Sequence, residues 1–509
     1  MISPANNVAD AERSAFAHIS YFSIAHYLSE ALFIIRGLLL ARIFGPAIFG
    51  IWTEMKLVLL FLQYAHLGTH EAMIREVPYA VGRGDRARAD NIKRTVIAFN
   101  LSSSAVTAIG IFTILLVSEK VWNADIQGSW SILVCIFFIS QVYWFIHLKL
   151  QAEKRFGRIS KIMLGFALCS TVLGTLCAYY FSIEGFLLVL GLSYFVMLVY
   201  AGEGHSLIPL PNWNTPLLRE LIKTGFPIMA SGALLILLWN VDKLAIWLLM
   251  SKEDLGIYAV QSYIANTIML VPSAVSIVLY PRVMETYGKT GIPSDLERYL
   301  TQPTLIMSYL ACPLLGILFL ALHLPIKWLL PKYVLAIVPG QILILAIFFM
   351  VIARMPANML ISLNRQKLLL ALTGISVLVG AVADYIFIRI GEGIIGVAVG
   401  TSLGFIVYSS LTMVSSLHAV KMSIKRSVSF LVLVALPYVV VLSLAGIMFK
   451  LLSVTDAGWV SDFVYTSISC LLITALMGVL IYAVNTKFHF FQRSVAEVQD
   501  VQVFLRAEL

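Results

Sequence analysis

The feature that most constrains this sequence is a series of long apolar runs, because a helix that crosses a bilayer needs about 20 apolar residues. Hydrophobic residues make up 60% of the 509 positions and charged residues only 12%, so a water-soluble fold could not bury this much apolar surface. The sequence therefore predicts an all-α polytopic membrane protein. About fourteen transmembrane helices are expected, at residues 19–42, 47–68, 95–118, 129–149, 160–182, 185–202, 224–250, 255–280, 301–322, 336–361, 368–389, 392–417, 428–450 and 463–485.

Lysine and arginine residues give the orientation of these spans. Cytoplasmic loops of membrane proteins collect Lys and Arg. Most such residues outside the predicted spans fall in every second loop, including the long loops 69–94 and 203–223. This pattern places both termini in the cytoplasm, as tails at 1–18 and 486–509. Because these loops account for most of the net charge of +9, that charge does not indicate a nucleic-acid partner.

The chain also contains a weak internal repeat. One fixed offset places Phe49–Trp52 on Leu255–Tyr258 and Arg36 on Asp242, and it overlays spans one to six on spans seven to twelve. Since each half has an even number of helices, the halves are predicted to be parallel repeats with a site between them near the bilayer midplane. The predicted domains are an N-lobe at 19–202, a linker at 203–223, a C-lobe at 224–417 and two further spans within 418–485.

Ionisable residues inside the spans mark the candidate site. A charge at the centre of a membrane helix costs about 2.5 to 3.5 kcal/mol, so such residues are expected to face the bundle interior or a wet cavity. Two compatible interpretations stay open. The charges pair with one another, Glu30 with Lys56 on neighbouring helices and Arg36 with Asp242 across the halves, or the bases line a central cavity. The candidate substrate-binding residues are Arg36, Lys56, Arg354, Glu30, Asp242 and Lys243, while Glu54 and Asp384 are further charges within spans.

The sequence assigns Lys243 to the central cavity less firmly than the other candidates. Its long side chain can extend the ammonium group toward the membrane interface instead. Two histidines offer a further interpretation. His26, four residues before Glu30, and His66, near the end of the second span, could take part in a proton relay. A histidine in a helix more often satisfies a local hydrogen bond.

No motif in the sequence indicates an enzyme. There is no Gly-rich phosphate loop followed by Lys, no His-Glu-x-x-His helix and no nucleophile elbow. The five cysteines lie in apolar runs without paired spacing, which argues against a disulfide framework or a metal site. We therefore predict a non-enzyme with no catalytic residue, no cofactor and no bound metal.

Short motifs around the first two spans carry a resemblance to a known family. The sequence Ala-Arg-Ile-Phe-Gly-Pro at 41–46 is followed by Phe49–Trp52, Leu67-Gly68 and Ala72–Arg75. This resembles the first helical hairpin of Wzx-type polysaccharide flippases, which belong to the multidrug/oligosaccharidyl-lipid/polysaccharide exporter (MOP) superfamily. Further motifs of this chain resemble the corresponding parts of the second half of those flippases. They are Asp242, Leu255–Ala259, Tyr280-Pro281 and the Asn364-Arg365 turn.

Membership in that family implies two six-helix lobes in a V around a cationic cavity, two extra C-terminal helices, and alternating access. The implied cargo is an undecaprenyl-diphosphate-linked oligosaccharide, carried across the bacterial inner membrane for O-antigen, lipopolysaccharide or another surface polysaccharide. By analogy with related lipid flippases, Arg36, Lys56 and Arg354 are the candidates for contacting diphosphate. The implied partners are this lipid-linked oligosaccharide, membrane lipids, H⁺ or Na⁺, and polysaccharide polymerase and chain-length proteins.

Two other classes of function remain in view. A drug or ion antiporter of the same superfamily would need anionic cavity residues for cationic cargo, and the excess of bases argues the other way. A membrane-bound glycan polymerase or ligase is expected to have a long outer loop with catalytic residues, which the predicted topology lacks.

Overall fold

The computed structural model describes residues 4–117, 124–202, 209–269, 286–452 and 459–488, together with residues 272 and 283. The end of the predicted eighth span, the Tyr280-Pro281 motif, residues 203–208 of the predicted linker and most of the predicted C-terminal tail lie outside these residues. The described residues form fifteen α-helices and three short 3-10 segments. In chain order the helices are Pro4–Leu62 (α1), Thr69–Gly82 (α2), Arg86–Val117 (α3), Ala124–Ala152 (α4), Phe156–Gly202 (α5), Thr215–Leu238 (α6), Val241–Leu249 (α7), Lys252–Ile268 (α8), Glu297–Ala321 (α9), His323–Leu329 (α10), Ile337–Ser362 (α11), Gln366–Arg389 (α12), Gly393–Ala419 (α13), Ile424–Leu452 (α14) and Trp459–Phe488 (α15).

The prediction of an all-α polytopic membrane protein is confirmed. In the described part of the chain, eleven helical segments are long and apolar enough to cross a membrane. Two of them, Tyr21–His66 and Phe156–Ala201, have 46 residues each, which is more than twice the length that one crossing needs. Each of these two contains two of the predicted spans, and every other segment matches one. The predicted eighth span has no matching segment, because it runs well beyond the described residues.

Local breaks divide the two long helices into arms. In α1, Gly45 has φ 71° and is followed by Pro46. Glycine adopts positive φ without strain and proline suits the first turn of a helix, so this dipeptide ends one arm and starts the next. In α5 the break falls at Phe181 and Ser182. At its start α1 extends further than the first predicted span, because residues 4–18, predicted as a tail, are also helical.

The chain divides into two compact units, Met1–Ala233 and Leu234–Leu509, called unit 1 and unit 2 below. In unit 1, α1 and α4 pack on α5, and α3 packs on α4. The hydroxyl of Thr171 in α5 donates to the carbonyl oxygen of Leu32 in α1 at 3.3 Å, which fixes the register of the two helices.

In unit 2, α11 and α12 pack on α13, and α9 packs on α11. The last two helices, α14 and α15, also pack on α9. The hydroxyl of Ser308 in α9 donates to the carbonyl oxygen of Val434 in α14 at 2.7 Å. These two helices, which the internal repeat leaves out, are therefore part of the packing of unit 2.

The seventh span, predicted as one helix at 224–250, consists of two helices. α6 begins early because the Asn214 side chain accepts the N–H of Leu217 at 3.1 Å and caps the helix. α6 ends at Leu238, and α7 begins at Val241. Between them Asn240 leaves the helical conformation, with φ −132° and ψ 10°. The break places Asp242 in the first turn of a short helix rather than inside a long one.

Candidate functional site

Arg36 lies on the first arm of α1, half-buried in unit 1. Its Nη1 donates to the hydroxyl of Ser170 in α5 at 2.6 Å. The guanidinium carbon lies 4.7 Å from the ring centre of Phe33 and 5.9 Å from that of Phe186. Cations within about 6 Å of an aromatic face are attracted by the ring electrons. Hydroxyl and aromatic groups of α1 and α5 thus position this guanidinium.

Lys56 lies on the second arm of α1, beyond the break at Gly45. Its ammonium group is 5.6 Å from the ring centres of both Phe49 and Trp52. Trp52 packs edge-on against Phe186 with centroids 4.8 Å apart, and Phe186 is also a neighbour of the Arg36 guanidinium. The structure therefore places Arg36 and Lys56 against one aromatic cluster, although their sequence positions lie on different arms.

The predicted partner of Lys56, Glu30, is half-buried on the first arm of α1. Glu54, two residues before Lys56 on the same helix, is buried. The pairing of Glu30 with Lys56 stays a prediction. The pairing of Arg36 with Asp242 also stays a prediction, since these residues belong to different units.

Asp242 and Lys243 form an ion pair at the start of α7 in unit 2. The Lys243 Nζ lies 3.7 Å from Asp242 Oδ1, and the two side chains are only 12% and 5% exposed. Lys243 also donates to the side-chain oxygen of Asn240 at 3.1 Å and to the carbonyl oxygen of Trp239 at 3.4 Å. The break between α6 and α7 supplies these oxygens, so the ammonium group turns back toward the break.

A second carboxylate lies near Asp242 in the same unit. Asp384 in α12 is fully buried, accepts the hydroxyl of Thr401 in α13 at 3.3 Å, and is close enough to Asp242 for the two acids to interact electrostatically. A Cβ atom on Gly400 would overlap this carboxylate. Glycine at that position therefore lets α13 approach α12 and close over the acid.

Tyr258 in α8 belongs to the same cluster. Its side chain is fully buried and interacts with Asp242 and Asp384. Within the described residues its hydroxyl makes no hydrogen bond of standard geometry. Two acids, a hydroxyl and a phenol around one buried position can exchange a proton or bind a small cation. We name Asp242, Asp384, Tyr258 and Thr401 the acidic cluster.

Arg354 lies on α11 in unit 2. Its Nε is buried and makes no hydrogen bond to any described residue, and its charge acts on the nearby Tyr408 of α13. Tyr408 belongs to an apolar core that also includes Met350, Ala353 and Phe405. A guanidinium with an unpaired buried N–H at this place is suited to an anionic ligand.

The described residues contain no group of three or more His, Cys, Asp and Glu side chains placed to hold a metal ion. Unit 1 thus contains one candidate site of basic and aromatic groups, and unit 2 contains another, formed by Arg354 and the acidic cluster. Hydrogen-bond donors in unit 1 suit anions. Carboxylates in unit 2 suit a cation or a proton.

Comparison with known proteins decides the family. The model of a family described as polysaccharide biosynthesis protein matches residues 39–339, more than half of the chain. The chain belongs to this family. The matched region contains Lys56, Asp242 and Lys243, while Arg36, Arg354 and Asp384 lie outside it. No curated protein sequence matches the chain.

Solved structures share the fold of this chain. The lipid II flippase MurJ in an inward closed conformation aligns with a TM-score of 0.63 at 14% identity, over 89% of this chain and 98% of that chain. An inward-facing multidrug resistance MATE family transporter of the MOP superfamily aligns with a TM-score of 0.62 at 14% identity, over 80% and 98%. A MOP superfamily transporter from Pyrococcus furiosus aligns with a TM-score of 0.57 at 14% identity, over 80% and 96%. Together with the family match, they confirm the resemblance to Wzx-type flippases of that superfamily.

Sequence reasoning did not assign several of the groups in these sites. Asp384 was visible as a charge within a span, but no periodicity indicated that Asp242 lies near it. The glycine run Gly396–Gly404 indicates close helix packing, and nothing in it shows that an acid lies beneath Gly400. Ser170 is a partner of Arg36 that only the packing of α1 on α5 reveals.

Proposed function

We propose that this chain is a flippase that moves an undecaprenyl-diphosphate-linked oligosaccharide across the bacterial inner membrane by alternating access. The product would serve the biosynthesis of a surface polysaccharide such as the O-antigen of lipopolysaccharide. The family match supports a role in polysaccharide biosynthesis. The observation that supports an anionic cargo is the guanidinium of Arg36. This group lies within a membrane helix and is held by Ser170 and aromatic rings.

The chemistry of the cargo explains why such a group is needed. A diphosphate and its sugars cannot enter hydrocarbon without hydrogen-bond partners. A guanidinium presents a planar fork of N–H donors that matches two phosphate oxygens, whereas an ammonium group acts as a point charge. We assign Arg36 to two-point contact with the diphosphate, with Lys56 and Arg354 as further cationic contacts. Membrane lipids would surround the polyprenyl tail.

The acidic cluster is the proposed site of a coupling cation, H⁺ or Na⁺. Two neighbouring buried carboxylates repel each other when both are ionised, and a bound cation relieves that repulsion. Polysaccharide polymerase and chain-length proteins would receive the translocated unit on the outer side. Since transport breaks no covalent bond, the proposal includes no catalytic residue and no enzyme activity.

A drug or ion antiporter of the same superfamily is the second candidate, and the acidic cluster is the observation that favours it. Carboxylates in a membrane domain suit a cationic drug as well as a coupling ion. The two candidates differ in what Arg36 does, because a cationic drug gains nothing from a guanidinium in its path. A polymerase or ligase is less favoured, because the predicted outer loops are short.

The test is flipping of a fluorescent polyprenyl-diphosphate oligosaccharide by the purified chain in liposomes. Arg36→Ala is expected to lower the initial rate by about tenfold or more, since a hydrogen bond to a charged group contributes about 1.5 to 3 kcal/mol. Arg36→Lys should keep part of the rate because it keeps the charge and loses the fork. The matched control is Arg42→Gln, an exposed arginine of the same helix, which should flip at the wild-type rate.

The same liposomes, loaded with an organic cation, separate the two candidates. Wild-type liposomes that flip the lipid-linked oligosaccharide and leave the cation inside support the flippase. The flippase proposal would be contradicted if wild type and Arg36→Ala exported the cation at equal rates and neither flipped the lipid.

A further inference from the structure

A tight turn joins α1 to α2 in unit 1. Leu67 and Gly68 have φ of 48° and 85°, a region that only glycine enters freely. The imidazole of His66 holds the turn, because its Nδ1 accepts the N–H of Gly68 at 3.1 Å. The carbonyl oxygen of His66 also accepts the hydroxyl of Thr69 at 2.9 Å. A ring nitrogen that accepts a hydrogen bond carries no proton, so His66 is neutral with its proton on Nε2.

A carboxylate lies next to the same ring nitrogen. Glu71 Oε2 is 3.6 Å from His66 Nδ1, and this buried oxygen accepts no hydrogen bond from the described residues. Burial raises the pKa of Glu71. The Nδ1 of His66 therefore lies between two groups with opposite requirements. The N–H of Gly68 needs an unprotonated nitrogen, and the Glu71 carboxylate is stabilised by a protonated one.

The remaining groups around His66 do not compete for a proton. His70 stacks on it with ring centroids 4.2 Å apart and is buried. Burial, with a smaller effect of His66, holds the pKa of His70 well below its ordinary value. Tyr64 is the other ionisable neighbour, and the charge of Glu71 acts on it. α6 presents Gly225 to the turn, and α4 faces the site with three groups that do not ionise, Gln141, Trp144 and Leu148.

A cavity of about 190 Å³ lies against both histidines and Glu71. This volume accommodates several water molecules, each of which takes about 30 Å³ in the liquid, so the pair can exchange protons with water. These side chains do not form one of the groups of three or more His, Cys, Asp and Glu residues that could hold a metal ion, since the described residues contain none. The ligand that fits this combination of a hydrogen-bonded imidazole and a buried carboxylate is a proton.

The turn is in direct contact with α6. A Cβ atom on Gly225 would overlap the carbonyl oxygen of Gly68, and one on Gly68 would overlap the backbone of Gly225. Only glycine fits at either position. α6 is also held to α3 by the ion pair of Arg88 with Glu220, at 2.5 Å. Since α6 runs from unit 1 past the boundary at Ala233, a change in the turn acts on the helix that leads into unit 2.

We propose that His66 and Glu71 form a proton-binding switch that sets the conformation of the α1–α2 turn. Neutral His66 accepts the N–H of Gly68 and holds the turn. When a proton from water binds to Nδ1, that N–H loses its acceptor and the imidazolium donates instead to Glu71 Oε2. No other bond changes. The turn then relaxes against Gly225, so the pH of the water in this cavity acts on α6.

The test is amide hydrogen exchange of the full-length protein in lipid nanodiscs, from about pH 8 to about pH 3.5, a range that extends below the usual titration of histidine because burial disfavours the charged imidazolium. After correction for intrinsic exchange, amides of residues 63–72 are expected to exchange about tenfold faster at the acidic end, the effect of losing one hydrogen bond. Peptides from 215–232 in α6 should change over the same pH range. This readout is independent of the cargo, so failure of the flippase proposal would leave it unaffected.

Two variants separate the switch from general acid sensitivity. In His66→Asn the side-chain oxygen takes the place of Nδ1 and accepts the N–H of Gly68 without titrating, so exchange in 63–72 should become independent of pH. In Glu71→Gln the imidazolium loses its partner, so the transition should move to lower pH. The matched control is His418→Asn, which removes an exposed histidine of unit 2 and should leave the wild-type profile.

Three results would overturn the proposal. The first is exchange in 63–72 that does not depend on pH in the wild type. The second is a pH profile of His66→Asn and Glu71→Gln that equals that of the wild type. The third is a change in 63–72 without any change in 215–232, which would exclude the coupling to α6.

Discussion

At the positions that the predicted internal repeat aligns, unit 1 has Arg36 and unit 2 has Asp242. Arg36 is held by the hydroxyl of Ser170 and by aromatic rings. Asp242 is paired with the neighbouring Lys243 and lies near a second acid, Asp384. The aligned positions thus carry opposite charges, and each lies in a different environment. Positions that align between two halves of a sequence need not attract the same ion.

Equivalent glycines show how the two environments arise. The offset that relates Arg36 to Asp242 also relates Gly174 in α5 to Gly380 in α12. A Cβ atom on Gly174 would lie 3.3 Å from the ring of Phe186. On Gly380 its near neighbours would include the Cα of Gly404 in α13, at 3.7 Å. In unit 1 the space beside Gly174 is occupied by the ring of Phe186, which lies next to the Arg36 guanidinium. In unit 2 the absence of a side chain at Gly380 brings the backbones of α12 and α13 together. This close packing buries the acids of unit 2.

The largest effect that tests this comparison is expected at the ion pair of unit 2. Asp242→Asn leaves the buried ammonium of Lys243 without its carboxylate, which should lower the free energy of unfolding by about 3 to 5 kcal/mol. Asp384→Asn removes one of two repelling acids and should keep or raise stability. The measurement is the thermal unfolding midpoint of the purified protein in detergent. The double variant Asp242→Asn with Lys243→Gln should recover part of the loss, and a double variant no more stable than Asp242→Asn would contradict the pairing.

An intermediate effect is expected at the glycines of unit 2. Gly400→Ala places a methyl group on the Asp384 carboxylate and on the backbone before it. Overpacking of this kind costs about 1 to 3 kcal/mol. Gly174→Ala meets only the edge of a ring and should cost less. The control is Gly374→Ala in α12, which has open space around it. Equal unfolding midpoints for Gly400→Ala and Gly374→Ala would mean that α12 and α13 are not in close contact.

The smallest effect is expected at exposed ion pairs, one in each unit. Arg88 pairs with Glu220 at 2.5 Å in unit 1, and Arg426 pairs with Glu297 at 3.2 Å in unit 2. Exposed pairs contribute about 0 to 1 kcal/mol, so Arg88→Gln and Arg426→Gln should each shift the unfolding midpoint only slightly. A large shift in one unit alone would show that surface charges, too, distinguish the two units.

Much of the fold could be predicted from the sequence, because hydropathy is a local property. A run of about 20 apolar residues forms a membrane helix whatever lies beside it. The Gly45-Pro46 dipeptide likewise ends a helix wherever it occurs. The seventh span shows the limit of this reasoning. Its apolar run continues through Asn240, yet the helix breaks there, because the Asn240 side chain and the Lys243 ammonium group hydrogen-bond locally.

The sequence by itself determined the membrane class, most of the helices, the family motifs and the list of charges that lie within spans. Only the tertiary structure decided the partner of each charge. Arg36 meets Ser170 across 134 positions of sequence, and Asp384 lies near Asp242 because α12 packs on both α7 and α13. The physical reason is that a buried charge is stabilised by whichever group the packing of helices brings within a few ångströms. That packing depends on the shapes of many side chains far apart in the chain.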